Sequence, residues 1–324
     1  MERQRYLEIR KKINLKLNAT HLYLHIVQDI LLIGGVSFLL SNSGLLWRLA
    51  AIPLLSIFMF RHFSLMHEAV HGVISKNKTI NDLVGFVSGC LCILPYHPWK
   101  QIHLEHHHWS GNLDKDPVMA LIRNCPKWPK PVQFVLSTFW QVWIPLLAIL
   151  QYSVFWILST LQIFKPGNSA KNILSTALPL IFWGTVLYSL PAQLSLTVLL
   201  PAAALYLLAV EVVNFPHHIG LVQYIGEAKI PVWQQYQTAR SCTYPLWLAR
   251  FVVLNFNYHT EHHMFPDAPW YELYNIHCVL KEELGSAYNV DSQFSWILKN
   301  RPKSIEEMLL PTETTTAAPY KDAA

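Results

Sequence analysis

Side chains three and four residues apart are neighbours on one face of a helix, so imidazoles at i, i+3 and i+4 can converge on one metal ion. His259-Thr260-Glu261-His262-His263 has that spacing, His103-Leu104-Glu105-His106-His107 repeats it, and His67-Glu68-Ala69-Val70-His71 sets two imidazoles at i and i+4. Neutral imidazole is the commonest protein metal ligand and suits iron, copper, zinc and nickel. A lone HxxxH arises easily on any helix, but three boxes in one chain of 324 residues are a specific signal. Asn214-Phe215-Pro216-His217-His218 adds a fourth cluster.

The donor set narrows the chemistry. His67, His71, His103, His106, His107, His218, His259, His262 and His263 exceed the roughly four to six ligands one ion takes, and so suit two. Cys90, Cys92, Cys125, Cys242 and Cys278 contain no CxxC pair, which argues against a disulfide framework, a Cys-rich zinc site or an iron–sulfur cluster. Magnesium or calcium would demand carboxylate oxygens. Two non-haem irons are the expected cofactors. Glu68, Glu105 and Glu261, inside the boxes, are either exposed helix charges or acceptors that orient the ligating rings, and Asp114 and Asp116 are either loop charges or such acceptors. His21, His25, His62, His97 and His277 read as interfacial or hydrogen-bonded side chains, and His108 and His217 fall outside the ligand set.

The elements that must position these residues are apolar. Hydrophobic residues make up 52% of the chain and charged residues 14%, against about a quarter charged in soluble domains. Twelve Trp and fourteen Tyr suit a protein needing interfacial anchors. The net charge of +5 is not gathered into a stripe, so no nucleic-acid partner is expected. Residues 22–40, 45–66, 173–190 and 194–213 are apolar runs close to the roughly 20 residues that cross a bilayer. Short turns at 41–44 and 191–193 pair them. The expected fold is an all-α integral membrane protein, with two transmembrane helical hairpins and a cytoplasmic helical cap carrying the histidine boxes. Arg3, Arg5, Arg10, Lys11, Lys12 and Lys16 precede the first span and Lys76 and Lys78 follow the second, so both termini and the boxes are expected in the cytoplasm. These early charges also argue against a cleaved signal peptide. Residues 82–96 are too short for a confident crossing and read as a membrane-dipping or core helix. The stretch 132–164, broken by Pro145, is either a crossing hairpin or an interfacial amphipathic pair. Residues 1–310 form one membrane domain, and 311–324 (PTETTTAAPYKDAA) read as a disordered tail.

The HxxxH, HxxHH and HxxHH boxes, with pairs of apolar spans between them, resemble the integral-membrane fatty acid desaturase and hydroxylase superfamily over roughly residues 20–285. The segment NYHTEHHMFP at 257–266 is similar to the third box of its fatty-acid desaturases. The resemblance implies a di-iron fatty acid desaturase that uses O2 and two external electrons to introduce a double bond into the acyl chain of a lipid. In the family, an Asn four residues before a ligand His holds a water on one iron, and Asn214 and His218 stand at that spacing. The front-end branch replaces the first His of box three by Gln and carries a fused cytochrome b5. Here that position is His259 and no haem-binding domain is evident, so the donor is expected to be a separate protein, a ferredoxin or cytochrome b5. Arg240, Lys229 and Lys281 are expected to steer such an acidic carrier.

Two other functions share parts of this pattern. A hydroxylase or ketolase of the same superfamily, acting on fatty, alkane or carotenoid chains, carries the same boxes. A membrane metal transporter would place its ionisable residues within the spans, whereas these clusters follow them.

Overall fold

The computed structural model describes residues 1–42, 44–164, 170–309 and 313–315. Ser43 of the first turn and most of 311–324 lie outside the described residues. Among those described, four helices are long and apolar enough to cross a membrane, namely Ala19–Leu40, Leu45–His71, Ala170–Ser189 and Ala192–His218. They are the four runs expected from sequence, each longer by a few residues. Box one and His218 lie on the last turns of their spans rather than beyond them.

The chain divides into two compact units, one of residues 16–101 and 148–210, the other of residues 1–15, 102–147 and 211–324. In the first unit, α2 (Ala19–Leu40) starts where the Asn18 side chain accepts from the Thr20 N–H at 3.0 Å. It turns Tyr23, Ile30, Leu31 and Phe38 outward, each about two-thirds exposed, as a helix solvated by lipid does. α3 (Leu45–His71) is instead buried along its C-terminal half, from Phe58 to Val70. It ends at Gly72, whose φ of +74° is a left-handed cap that a side chain would strain. α4 (Lys78–Leu91) packs so closely on the start of α5 (Tyr96–Trp109) that a Cβ on Gly85 would lie 2.2 Å from the Tyr96 ring. The Tyr96 hydroxyl donates to the Ala69 carbonyl at 3.3 Å, which ties that junction to the end of α3. Tyr206 donates to the Cys92 carbonyl at 3.0 Å and pairs with Tyr152 at 2.5 Å.

In the second unit, α1 (Arg3–Lys12) docks through buried Tyr6 and Ile9. The Tyr6 ring stacks on Phe265 at 5.0 Å, its hydroxyl donates to the Met264 carbonyl, and Arg5 and Arg10 pair with Glu283 and Asp267. Two small parallel strand pairs interrupt the helical pattern. β1 (Val222–Tyr224) pairs with β4 (Glu313–Thr315), and β2 (Ser241–Thr243) with β3 (Val290–Ser292) in the register Ser241↔Val290. The three residues of β4 therefore carry a strand within a segment expected to be an unstructured tail. The stretch 132–164 forms two helices, Lys130–Gln141 and Leu146–Ile163, separated at Trp143 with φ +64° and at Pro145. Neither is among the four candidate spans.

Candidate metal centre

Box two lies on the C-terminal half of α5, box three forms the short helix His259–Met264, and His218 ends the helix Leu200–His218. Box three is entered through Leu254 and Asn255, both in the left-handed region at φ +50° and +54°. The turn is held by the Asn255 side chain, which donates to the Trp270 carbonyl at 3.0 Å. Asn257, which opens the segment, exchanges two bonds with β2. Its side chain donates to the Cys242 carbonyl, and its own carbonyl accepts the Cys242 N–H. The fold is all-α as expected, with these short strand pairs added, and β2 fixes the start of box three.

His106, His218, His259 and His263 are buried, and their Nε2 atoms form a closed quadrilateral. Its sides are 3.1 Å from His106 to His218, 2.8 Å from His218 to His259, 3.1 Å from His259 to His263 and 3.2 Å from His263 to His106. The opposite faces of the rings settle the tautomers. His106 Nδ1 lies 2.9 and 3.0 Å from the two oxygens of Asp116, which can only accept. His218 Nδ1 lies 2.8 Å from the Thr238 carbonyl oxygen. His263 Nδ1 lies 2.9 Å from Gln235 Oε1, and that oxygen is assigned because Gln235 Nε2 donates to the His107 carbonyl at 3.0 Å. All three rings therefore carry the proton on Nδ1 and turn an Nε2 lone pair inward. Three lone pairs within hydrogen-bonding distance have too few protons to share, so the arrangement calls for a cation. A square with sides of about 3.1 Å has its corners about 2.2 Å from its centre, close to the imidazole–metal distance of about 2.1 Å. Burial and the neighbouring imidazoles push the pKa of His259 well below the ordinary histidine range, which keeps it in the neutral, ligating form.

Beside this group, His107 Nε2 lies 3.1 Å from His103 Nε2 and 2.9 Å from His262 Nε2. The His107 ring stacks on that of His263 at 4.2 Å, so the triplet adjoins the four. In the other unit, the rings of His67 and His71 are 5.1 Å apart, and His67 Nδ1 lies 3.2 Å from Glu68 Oε1. Seven of the nine expected ligands thus converge in one unit, and the remaining two pair at the end of α3.

The acidic residues sort themselves. Asp116 is fully buried, accepts from the Gly111 and Val118 N–H groups as well as from His106, and acts as an orienting group. Asp114 is an exposed loop charge. Glu105 lies on the exposed side of α5 and accepts from Trp109 Nε1 at 2.9 Å. Glu261 is fully buried, but its partners are Ser241, His277 and Tyr288 rather than a ligand ring. It anchors box three to β2 and to the helix Leu273–Leu284, and burial together with Glu261 raises the pKa of Tyr288. Asn214 is half-buried one turn before His218. Arg240, expected at a docking face, is buried instead. Its N–H donates to the His217 carbonyl at 2.8 Å, and its side chain donates to the carbonyls of Pro216 and Ile219, capping the helix that ends at His218. Lys229 and Lys281 are exposed. Sequence reasoning missed Gln235 and Thr238, neither of which stands near a box.

A third possible cluster, His25, Asp29 and His62, sits where α2 and α3 meet. Arg61 Nε donates to Asp29 at 2.7 Å and Nη2 lies 2.9 Å from His25 Nδ1. Guanidinium only donates, so that nitrogen accepts and the His25 proton is on Nε2, 2.7 Å from Asp29. The cationic place is filled by Arg61, and the cluster is an internally compensated polar contact between spans.

The profile of the fatty acid desaturase family matches residues 44–295. Omega-3 fatty acid desaturase fat-1 of Caenorhabditis elegans is 27% identical over 148 residues, which are 42% of this chain and 37% of the relative. A probable fatty acid desaturase DES1 of Sorghum bicolor is 27% identical over 249 residues, 70% of this chain and 61% of the relative. An sn-1 acyl-lipid omega-3 desaturase (ferredoxin) of Nostoc sp. is 25% identical over 299 residues, 86% of this chain and 80% of the relative. The chain spans less than two thirds of the first two of these and four fifths of the third. Because the matched residues take in most of the chain and all nine imidazoles of the boxes and of His218, this multi-pass membrane protein belongs to the fatty acid desaturase family.

Proposed function

We propose that this chain is an O2-dependent fatty acyl desaturase with two non-haem irons held by His67, His71, His103, His106, His107, His218, His259, His262 and His263. The observation that carries the reading is the set of three Nε2 lone pairs, on His106, His218 and His263, turned toward one point beside His259. His67 and His71 enter on their i, i+4 spacing and the Glu68 contact. The chemistry a bound iron pair supplies is two-electron oxidation: one O2, two electrons and two protons take two hydrogens from adjacent methylenes and leave a double bond and two waters. The residues of the chain serve that step by holding each ring in one tautomer. Asp116, Gln235 and the Thr238 carbonyl fix the Nδ1 protons, and Glu261 fixes the helix that carries three of the ligands. Asn214, one turn before His218, is the residue that would hold a water there.

The acyl chain is proposed to be carried on a membrane lipid and the electrons to come from a separate one-electron carrier, a ferredoxin or cytochrome b5. The Nostoc relative, an sn-1 acyl-lipid omega-3 desaturase (ferredoxin), supports a lipid-borne acyl chain and a ferredoxin donor. The basic N-terminal stretch together with Lys76 and Lys78 supports a cytoplasmic placement of the termini and boxes. The test is expression in a host that makes no unsaturated fatty acids, with mass spectrometry of its lipids. The expected result is a monoene or diene, lost when His106 is replaced by Ala. A hydroxylated or keto product would assign the chain to the other activity of the superfamily, and an unchanged lipid profile with iron bound would overturn the reading.

A further inference from the structure

His217 has no place in the ligand set, yet it is the most enclosed imidazole outside it. Its side chain is fully buried, and neither ring nitrogen has a hydrogen-bond partner among the described residues. Its ring lies parallel to that of His259, with centroids 4.2 Å apart and an interplanar angle of 12°. The backbone that carries it is pinned, because Arg240 donates to the carbonyls of Pro216, His217 and Ile219. His259 is also the exception among the four converging rings. His106, His218 and His263 are each oriented through Nδ1 by an acceptor, whereas His259 Nδ1 has no partner among the described residues. A ring that no acceptor holds can still turn about its χ angles, and turning would swing Nε2 away from the other three.

We propose that His217 is the positioning residue of His259: its ring face, held by the Arg240 cap, replaces the Nδ1 hydrogen bond that orients the other three imidazoles. A stacked aromatic pair contributes about 0.5–1.5 kcal/mol beyond the area it buries, equivalent to roughly a 2- to 10-fold change in an equilibrium constant. The contact acts through the π face and not through the nitrogens, so the proposal separates variants by shape and by polarity. The inference rests on the reading of the four imidazoles as a metal site.

The test uses the full chain in detergent, freed of metal and titrated with Co(II) against a competing chelator, with the visible spectrum of the bound ion recorded. H217F keeps the ring face and removes both nitrogens. H217Q keeps polar reach and removes the face, and H217L keeps bulk alone. The expected result is wild-type affinity and spectrum for H217F, with affinity 2- to 10-fold weaker and a changed spectrum for H217Q and H217L. Should H217L not fold, the pair H217F and H217Q still decides. Wild-type behaviour of H217Q, or loss in H217F equal to that in H217Q, would overturn the stacking role. A wild-type chain that binds no Co(II) would instead sink the metal reading beneath it.

Discussion

Asp116→Asn conserves the shape of a fully buried side chain and removes its charge, and the bonds around Asp116 fix the cost. Oδ1 accepts from the Val118 N–H at 2.9 Å, Oδ2 accepts from the Gly111 N–H at 3.0 Å, and both lie about equally close to His106 Nδ1. An amide has one oxygen and one NH2, so in either flip its NH2 faces a backbone donor. Either the buried Gly111 N–H or the part-buried Val118 N–H is then left without that acceptor, at up to about 1–3 kcal/mol, whether or not metal is bound. The loss at His106 is separate, because a neutral acceptor no longer holds the Nδ1 proton as firmly and the tautomer that points Nε2 inward is less favoured. Orienting partners of ligand imidazoles are worth about 10–100-fold in metal affinity, or roughly 1.4–2.7 kcal/mol. The assay is a metal titration of purified protein against a chelator, paired with thermal unfolding of the metal-free protein. Both quantities should fall, the affinity by 10–100-fold. If the metal-free protein is destabilised while metal affinity stays at the wild-type value, Asp116 is only a turn residue and the orienting argument is wrong.

Gln235→Leu removes the acceptor of His263 Nδ1 and the donor to the His107 carbonyl. It should weaken metal binding about 10–100-fold, read by the same titration. His277→Ala strips one partner from buried Glu261, whose oxygens keep Tyr288 and Ser241. It should lower thermal stability by about 1–3 kcal/mol and leave the bound metal per protein unchanged. The hydrogen bond from Arg10 is the main cause holding the Asp267 carboxyl below the ordinary carboxylate range, so this pair stabilises above the unfolded carboxylate pKa and the contribution is lost as pH falls through the folded one. Because both side chains are a third to a half exposed, Arg10→Gln should cost less than about 1 kcal/mol at neutral pH and nothing once pH lies well below 4 in unfolding scans. Asn214→Ala should keep its metal but lose most turnover, whereas His218→Ala should lose both. Full activity in Asn214→Ala would refute the water-holding role.

The boxes were legible because a helix repeats its face every three to four residues. His103, His106 and His107 share a face for that reason, and so do His259, His262 and His263. The spans were legible because lipid inverts the usual exposure, leaving Leu31 and Phe38 outward. Residues that act through a turn or across a long sequence gap were not. Gln235 and Thr238 reach the imidazoles of His263 and His218, 28 and 20 residues away, and nothing in their own neighbourhood marks them. Arg240 was misplaced for the same reason. Its charge suggested a surface, but it donates to three carbonyls at the end of a helix and is buried there.

Glu261 shows why spacing marks a shared imidazole face more readily than it marks what supports that face. It sits between His259 and His262, where a carboxylate could orient either ring, and neither contact forms. A helix face that gathers three imidazoles on one side must point the residue between them away from that side, toward whatever the helix packs against. For Glu261 that is Ser241 on β2 and the His277–Tyr288 pair. For Glu105, on the outer face of α5, it is Trp109 and solvent. Support for the rings has to come from behind them, and so from other segments of chain: Asp116 from the loop after α5, Gln235 and Thr238 from the segment before β2, and His217 from the helix that carries His218. The acceptors that fix the inward lone pairs are therefore set by tertiary packing, and only the donors they orient carry a period that a sequence can display.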